Sequence, residues 1–275
     1  MPRFAVAATL ALSIAAGPVL ANEFWISPHA YRWPAEETLR ADLRLGQRFM
    51  GASQEFARQE IERFEIITPE GAFDIEGENG DIPALSATGL PEGLAVIVHE
   101  TTSYGLTWDD WPSFVAFAEE NGLAAILAET TEAAQPADAP VREDCVRYAK
   151  SLVAVGHARG ADVRVGMRAE FLALANPYTD SLASVLPVQF WLDDAPRRAV
   201  QVDVTARPVE GGDAVFERYE TDGNGIVVLP VAAGMEYLVT SVILEPAAEG
   251  AAPGSHWRTL RASLTFEVPR PETTP

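Results

Sequence analysis

The amino-acid sequence predicts a mainly β protein, with two β-sandwich domains and a helical insert. Short apolar runs bounded by Gly, Pro, Asn and Asp fill both ends of the chain, and this spacing is typical of antiparallel sandwiches. In the middle of the chain the apolar residues change to helical spacing. The 275 residues are long for one sandwich but sufficient for two smaller domains.

The first predicted sandwich covers residues 22–108. Residues 39–45 alternate in part between apolar and polar, and residues 64–67 form a short run that stops at a turn around Pro69. Residues 94–99 are almost wholly apolar and have the length of a buried strand. We therefore expect a small antiparallel sandwich in this part of the chain.

The helical insert is predicted over residues 109–160. The segment 109–112 reads Asp-Asp-Trp-Pro, which is typical of a helix start because acids favour the positive end of the helix dipole and proline fits the first turn. Phe114 and Phe117 follow at helical spacing, and Asn121-Gly122 is expected to divide this region into two helices.

A third helix is predicted from about residue 141 to residue 153. The apolar residues Val141, Cys145, Tyr148 and Leu152 stand at positions i, i+4, i+7 and i+11, which share one face of a helix. Cys145 is the only cysteine, so the chain cannot form an internal disulfide. We expect this thiol to be a small buried core residue rather than a nucleophile.

The second predicted sandwich covers residues 161–269. Residues 200–204 alternate between apolar and polar, and residues 221–225 read Thr-Asp-Gly-Asn-Gly, a turn between two strands. About seven short strands in roughly 100 residues fit an Ig-like or transthyretin-like sandwich. The Pro- and Thr-rich residues 270–275 are predicted to be a disordered tail.

Residues 1–21 have the layout of a secretory signal peptide. Arg3 precedes an apolar run, and small residues stand at the first and third positions before a cut after Ala21. The alternative is a membrane anchor, but a spanning helix needs about 20 apolar residues and Gly17-Pro18 would break this one early. We therefore predict a periplasmic protein that does not insert into the membrane.

The charge of the chain limits its partners. It carries 20 basic and 40 acidic residues, a net charge of −20 at neutral pH. Nucleic acids and anionic membrane surfaces are themselves polyanions, so neither is expected to bind. An acidic surface favours cationic ligands.

An ordered set of short segments runs through the chain. It opens with Asn-Glu-Phe-Trp-Ile at residues 22–26, followed by Tyr-Ala-Lys at 148–150, Asn-Pro-Tyr at 176–178, Leu-Pro-Val at 186–188, the Asp-Gly-Asn-Gly turn at 222–225, and His-Trp at 256–257. In this order the segments resemble the DUF4198 family of exported proteins, which is related to the soluble NikM/NikK-type components of nickel and cobalt uptake systems. The family's opening segment is His-Glu-Phe-Trp-Leu.

The resemblance implies an accessory or binding protein for transition-metal uptake, with a membrane metal transporter as partner. It also implies a β-sandwich fold. One departure from the family concerns the predicted mature N-terminus, where a histidine could bind a divalent metal together with the free amine. In this chain that position is Asn22, so the best ligand of such a site is absent.

Three histidines are the predicted metal ligands: His29, His99 and His256. Imidazole is the usual nitrogen ligand of nickel, cobalt, zinc and copper, so the predicted cofactor is one of these divalent ions. The histidines are far apart along the chain, and a site would have to be assembled by the fold. The other interpretation of each is a surface or hydrogen-bonded structural residue.

The alternative function is an interaction module that binds a carbohydrate or a protein through exposed aromatic side chains. The rings that such a surface would use cluster in two short regions: Trp25, Tyr31, Trp33, Tyr104, Trp108 and Trp111. Core and loop packing is the favoured interpretation of these rings, and it needs no function. Catalysis has little support, because the chain contains no Gly-x-Ser-x-Gly, His-Glu-x-x-His or phosphate-loop motif. The sequence therefore predicts a binding protein and not an enzyme.

Overall fold

The computed structural model describes residues 23–130, 139–247, 249 and 251–271. The predicted signal peptide at 1–21 lies outside these residues. Of the predicted tail at 270–275, Arg270 and Pro271 are described, and Arg270 Nη1 lies 2.8 Å from Glu210 Oε1.

A ten-stranded sheet runs through the molecule, with strands numbered in chain order. Its main path is β15 (Val215–Glu220), β14 (Gln201–Pro208), β17 (Met235–Pro246), β18 (Trp257–Val268), β10 (Val141–Val155), β8 (Gly93–Thr101), β5 (Ile61–Thr68) and β6 (Gly71–Asp74). Two shorter strands also pair with the central strand β10, namely β2 (Arg32–Trp33) and β9 (Tyr104–Trp108).

Two four-stranded sheets complete the β-structure. The first, the N-terminal small sheet, contains β1 (Glu23–Pro28), β3 (Leu39–Gln47), β4 (Met50–Gln54) and β7 (Leu85–Ala87). The second, the C-terminal small sheet, contains β11 (Ala169–Ala173), β12 (Val185–Leu192), β13 (Ala195–Pro196) and β16 (Ile226–Pro230). The predicted mainly β class is confirmed, with 52% of the described residues in strands and 8% in helices.

The two small sheets pack on opposite faces of the large sheet. In β8, Leu94, Val96 and Val98 belong to the core under the C-terminal small sheet, whereas Ala95 and Ile97 belong to the core under the N-terminal small sheet. Successive side chains of a strand point to opposite faces, so the large sheet is covered on both sides here. Two sandwiches therefore share their central strands.

The prediction of a third helix at residues 141–153 is wrong, because this segment is the 15-residue strand β10. Val146, Tyr148 and Leu152 face the C-terminal core, while Ala149 and Val153 face the N-terminal core. A strand buried on both faces is apolar at nearly every position, so its residues also match a helical template. Cys145 is buried as predicted, although on a strand.

The other two predicted helices are confirmed as α1 (Trp111–Glu120) and α2 (Ala124–Thr130). Asp110 caps α1, because its carboxylate accepts a hydrogen bond from the Ser113 amide at 2.7 Å. Asn121-Gly122 separates the helices as expected. A single 3₁₀ turn covers Arg58–Glu60. No helix in the described part of the chain has the length and apolar character needed to cross a membrane.

The helices close one end of the large sheet. Phe114 and Phe117 of α1 pack on Trp108, with ring centroids 5.8 and 4.8 Å away, and Phe114 also contacts Trp257. These residues form a third apolar cluster on the edge of the central strands. The domain boundaries at residues 108 and 160 stay predictions.

Candidate functional site

Of the three predicted metal ligands, His99 is the one that lines a cavity and is buried among aromatic rings. It stands near the end of β8, opposite Phe64 of β5, and its ring lies 4.9 Å from the Phe64 ring and 5.2 Å from the Phe24 ring. The residue is only 2% exposed, and neither ring nitrogen has a hydrogen-bond partner. A buried polar group without a partner costs free energy, so its retention points to a ligand.

Burial determines the protonation of His99. Desolvation, and secondly the positive charge of Arg147, lower the pKa of the imidazole from 6.5 to about 3. The ring is therefore neutral at physiological pH. A neutral imidazole has one nitrogen lone pair free to accept a hydrogen bond or to bind a metal ion.

A cavity of about 190 Å³ opens beside His99, between β1, β3 and the central strands. Arg147 of β10 forms one wall, where its guanidinium lies 4.9 Å from the Tyr104 ring centroid and 5.5 Å from that of Phe24. Its Nε has no hydrogen-bond partner, whereas its backbone N–H donates to Thr101 Oγ1 at 2.9 Å. The site thus presents a neutral imidazole and a cation to the same space.

Two carboxylates stand at the mouth of this cavity. Glu55 and Glu60 both line it and both are exposed to solvent. They place negative charge beside the space that His99 lines, which favours cations there. We call His99, Arg147, Tyr104, Glu55 and Glu60 the His99 pocket.

The other two predicted ligands lie elsewhere. His29 Nε2 is 3.4 Å from Asp42 Oδ1, and the side chain is 43% exposed. His256 is exposed beside Trp257. The structure does not bring the three histidines into one site, and the described residues contain no group of three His, Cys, Asp or Glu arranged to hold a metal ion.

The exposed aromatic surface of the alternative function is not formed. Trp25 is wholly buried against Phe49, and Trp108 is 3% exposed within the cluster of α1. Trp33 and Trp111 are partly buried and pack against different cores. The packing interpretation of these rings is confirmed for Trp25 and Trp108.

Arg147 and Tyr104 of the pocket were not identified as site residues from the sequence. Arg147 fell within the segment predicted to be a helix, and Tyr104 was one of several clustered aromatics. They meet because β9 pairs with β10 in a register that places Tyr104 opposite Cys145. Nothing in the local sequence encodes this register, so no signal pointed to the pair.

Comparison with known proteins identifies the family. A family model described as "Domain of unknown function (DUF4198)" matches residues 19–245. The chain belongs to the DUF4198 family. No curated protein gives a significant match. Among solved structures, this DUF4198 protein is similar to the D0-D1 domain of intimin, at 13% identity over 88% of this chain and 97% of that chain, with a TM-score of 0.21.

A second titratable group of the DUF4198 protein lies near the start of the described chain. Burial raises the pKa of the Glu23 carboxyl from 4.5 to about 7, and the carboxylates of Asp203 and Glu120 add to this. Its Oε2 accepts a hydrogen bond from the Arg48 amide at 2.5 Å. Glu23 therefore changes its charge close to neutral pH.

We expect the Glu23→Gln variant of this DUF4198 protein to be more stable than the wild type above neutral pH. A carboxyl whose folded pKa is raised contributes stability below its unfolded pKa of 4.5, and this contribution is lost as pH rises through about 7. The difference at about pH 8 should be on the order of 2 kcal/mol. Urea unfolding at acidic and alkaline pH measures it.

The matched control is Glu37→Gln, because Glu37 is exposed. Its free energy of unfolding should follow the wild type at every pH. If Glu23→Gln shows the same pH dependence as the wild type, the raised pKa of Glu23 is refuted.

Proposed function

We propose that this DUF4198 protein is a periplasmic, non-catalytic binding protein that is accessory to transition-metal uptake, with nickel or cobalt as its cargo. In this proposal the ion is captured in the His99 pocket and is then delivered to a membrane metal transporter. The observation that carries the proposal is the buried, neutral His99 imidazole, which lines a cavity and whose two nitrogens have no hydrogen-bond partner.

The protonation of His99 supports metal capture. A metal ion competes with protons for an imidazole nitrogen, so exposed histidines lose their metal as the solution becomes mildly acidic. The pKa of His99 is about 3, and its lone pair therefore stays available throughout that range. A proton therefore does not compete for this nitrogen in mildly acidic solution.

Arg147 restricts the form in which the ion would enter. A bare divalent cation would meet the guanidinium charge that already depresses the His99 pKa. An ion accompanied by a carboxylate ligand avoids this repulsion, because arginine is a strong hydrogen-bond donor to carboxylates. In our proposal His99 binds the metal, Arg147 binds the carboxylate, and Glu55 and Glu60 attract the cation to the mouth.

Membership of the DUF4198 family supports this proposal. The resemblance of the sequence segments suggests that the family is related to NikM/NikK-type uptake components. The net charge of −20 favours a cationic cargo. Asn22 stands where the family has histidine at the predicted mature terminus, so a nitrogen ligand has to come from a side chain within the fold. The His99 imidazole can supply it.

Calorimetric titration of the mature protein tests the proposal. Nickel, cobalt, copper and zinc chlorides are titrated alone and with citrate, and citrate is titrated without metal. We expect saturable binding at micromolar metal, stronger with citrate, and persistent at about pH 5 because His99 stays neutral there. The His99→Gln variant should lose at least ten-fold in affinity, since it loses the imidazole nitrogen.

The control variants replace the histidines outside the pocket. His157→Gln and His256→Gln change exposed rings and should bind as the wild type does. Thermal unfolding of His99→Gln shows whether the variant is folded. Wild-type protein that binds no metal under any of these conditions, or His99→Gln that binds like the wild type, refutes the proposal.

A further inference from the structure

Lys150 occupies an unusual environment for a lysine. It is the only lysine in the chain, it lies in the middle of β10, and its side chain is wholly buried. Its Nζ is 2.8 Å from Asp162 Oδ1 and 3.0 Å from Glu170 Oε1, and both of these carboxyl groups are also wholly buried. Lysine is almost never found fully buried unless it is paired.

Lys150 and Asp162 form a close buried ion pair. The three N–H groups of the ammonium donate to Glu170 Oε1 and to the backbone carbonyl oxygens of Val163 and Phe171, at 3.0, 2.8 and 3.2 Å. Asp162 Oδ1 lies at 2.8 Å, closer to this nitrogen than Glu170 Oε1 is. The nitrogen is thus held against both carboxyl groups at once.

The two carboxyl oxygens of Asp162 have different partners. Oδ2 accepts a hydrogen bond from the Ala173 N–H at 2.8 Å, whereas Oδ1 faces the Lys150 ammonium at 2.8 Å. The Ala173 N–H therefore polarises the carboxyl carbon and would stabilise negative charge on Oδ2. Burial raises the pKa of Asp162, which favours the protonated, electrophilic carboxyl.

Glu170 is positioned to move a proton. Its Oε1 faces the Lys150 ammonium, and its orientation is maintained by Arg164 Nε at 3.0 Å and by the N–H groups of Val165 and Gly166 at 2.8 and 3.1 Å. A carboxylate within hydrogen-bond distance of an amine is the geometry of a general base.

We propose that Lys150 and Asp162 condense to form an intramolecular amide bond between Nζ and Cγ. The Lys150 ammonium gives one proton to the Glu170 carboxylate, and the free amine attacks Cγ of the protonated Asp162 carboxyl. Glu170 passes this proton to the departing Oδ1, and the Cγ–Oδ1 bond breaks as water leaves. Glu170 then removes the extra proton of the new amide and returns it to solvent.

The step needs no oxidant, cofactor or second substrate. One ammonium and one carboxylic acid become one amide, one water and one proton. The fold holds Nζ 2.8 Å from Oδ1 of the Asp162 carboxyl group, which replaces a bimolecular encounter with an intramolecular one. The burial of all three side chains keeps water away from the product and therefore opposes its hydrolysis. Arginine could not take the place of Lys150, because the guanidinium does not lose its proton at these pH values.

Intact mass spectrometry of the denatured wild-type protein tests the proposal. The mass should be lower than the sequence mass of the mature chain by one water molecule, and the Lys150→Arg variant should have its full sequence mass. A fragment spectrum of the wild type should show the two peptides joined through Lys150 and Asp162.

The single lysine provides a second test. A protease that cleaves only after lysine should leave the denatured wild-type chain whole, because a lysine in amide linkage is not recognised. The Glu170→Gln and Asp162→Ala variants should be cleaved at Lys150 and should have their full sequence masses. If either variant fails to fold, the wild-type spectrum alone decides. A wild-type chain with its full sequence mass that is cut completely after Lys150 overturns the proposal.

Discussion

The Lys150→Met variant is expected to lose about 3–5 kcal/mol of unfolding free energy, because breaking a buried ion pair leaves an uncompensated charge. Lys150 stands between Asp162 and Glu170, and all three side chains are wholly buried. Glu170 would retain Arg164, but Asp162 would lose its cation and keep the hydrogen bond from Ala173. Urea unfolding followed by circular dichroism measures the loss.

The loss is expected whether the side chains are ionised or joined by an amide. In both cases Lys150 links the central strand β10 to the segment that leads into the C-terminal small sheet, and methionine cannot replace this link. Chemical crosslinks that close a loop of this size contribute a comparable free energy of about 3 kcal/mol.

The matched control is Arg270→Met, which also removes one cation from an ion pair. Arg270 pairs with Glu210 at 2.8 Å, but both side chains are more than half exposed. Exposed pairs contribute about 1 kcal/mol or less. If Lys150→Met and Arg270→Met have equal effects, the buried cluster is not a major source of stability.

The second large effect concerns the two faces of β10. Leu152 and Val153 are adjacent, and both are 0% exposed, but Leu152 packs in the C-terminal core and Val153 in the N-terminal core. We expect Leu152→Ala to cost about 2–4 kcal/mol and Val153→Ala to cost about 1–3 kcal/mol, because each leaves a cavity in a packed core. The free energy of unfolding in urea measures both.

The control for this pair is Val215→Ala in the edge strand β15. Val215 is 56% exposed, so its truncation should change the unfolding free energy by less than about 0.5 kcal/mol. If β10 is buried on both faces, Leu152→Ala and Val153→Ala should each lower the unfolding free energy. A substantial effect at only one of the two positions would contradict the double coverage of β10.

The local patterns that the sequence predicted correctly depend on neighbours in the chain. Asp110 caps α1 because its carboxylate reaches an amide only three residues ahead. Asn121-Gly122 ends the same helix because Gly122 adopts a φ of +70° that other residues rarely take. Alternation in residues 200–204 was sufficient to predict β14, since only one face of that strand is buried.

The candidate site could be predicted only in part, because its residues come from four segments of the chain. His99 was identified as a ligand type, but imidazole chemistry alone did not distinguish it from His29 and His256. His99 differs from the other two histidines because it is buried beside Phe24 and Phe64. This burial depends on the packing of β1 and β5 against β8. Arg147 reaches the same space because β10 lies next to β8.

By itself the sequence determined the β class, the two short helices and the family, because these depend on composition, short-range periodicity and ordered local motifs. Only the tertiary structure decided that residues 141–155 form a strand, that His99 and Arg147 line one cavity, and that Lys150, Asp162 and Glu170 are buried together. The physical reason is that β10 is covered on both faces. Its apolar pattern then has no period of its own, and its partners lie far away along the chain.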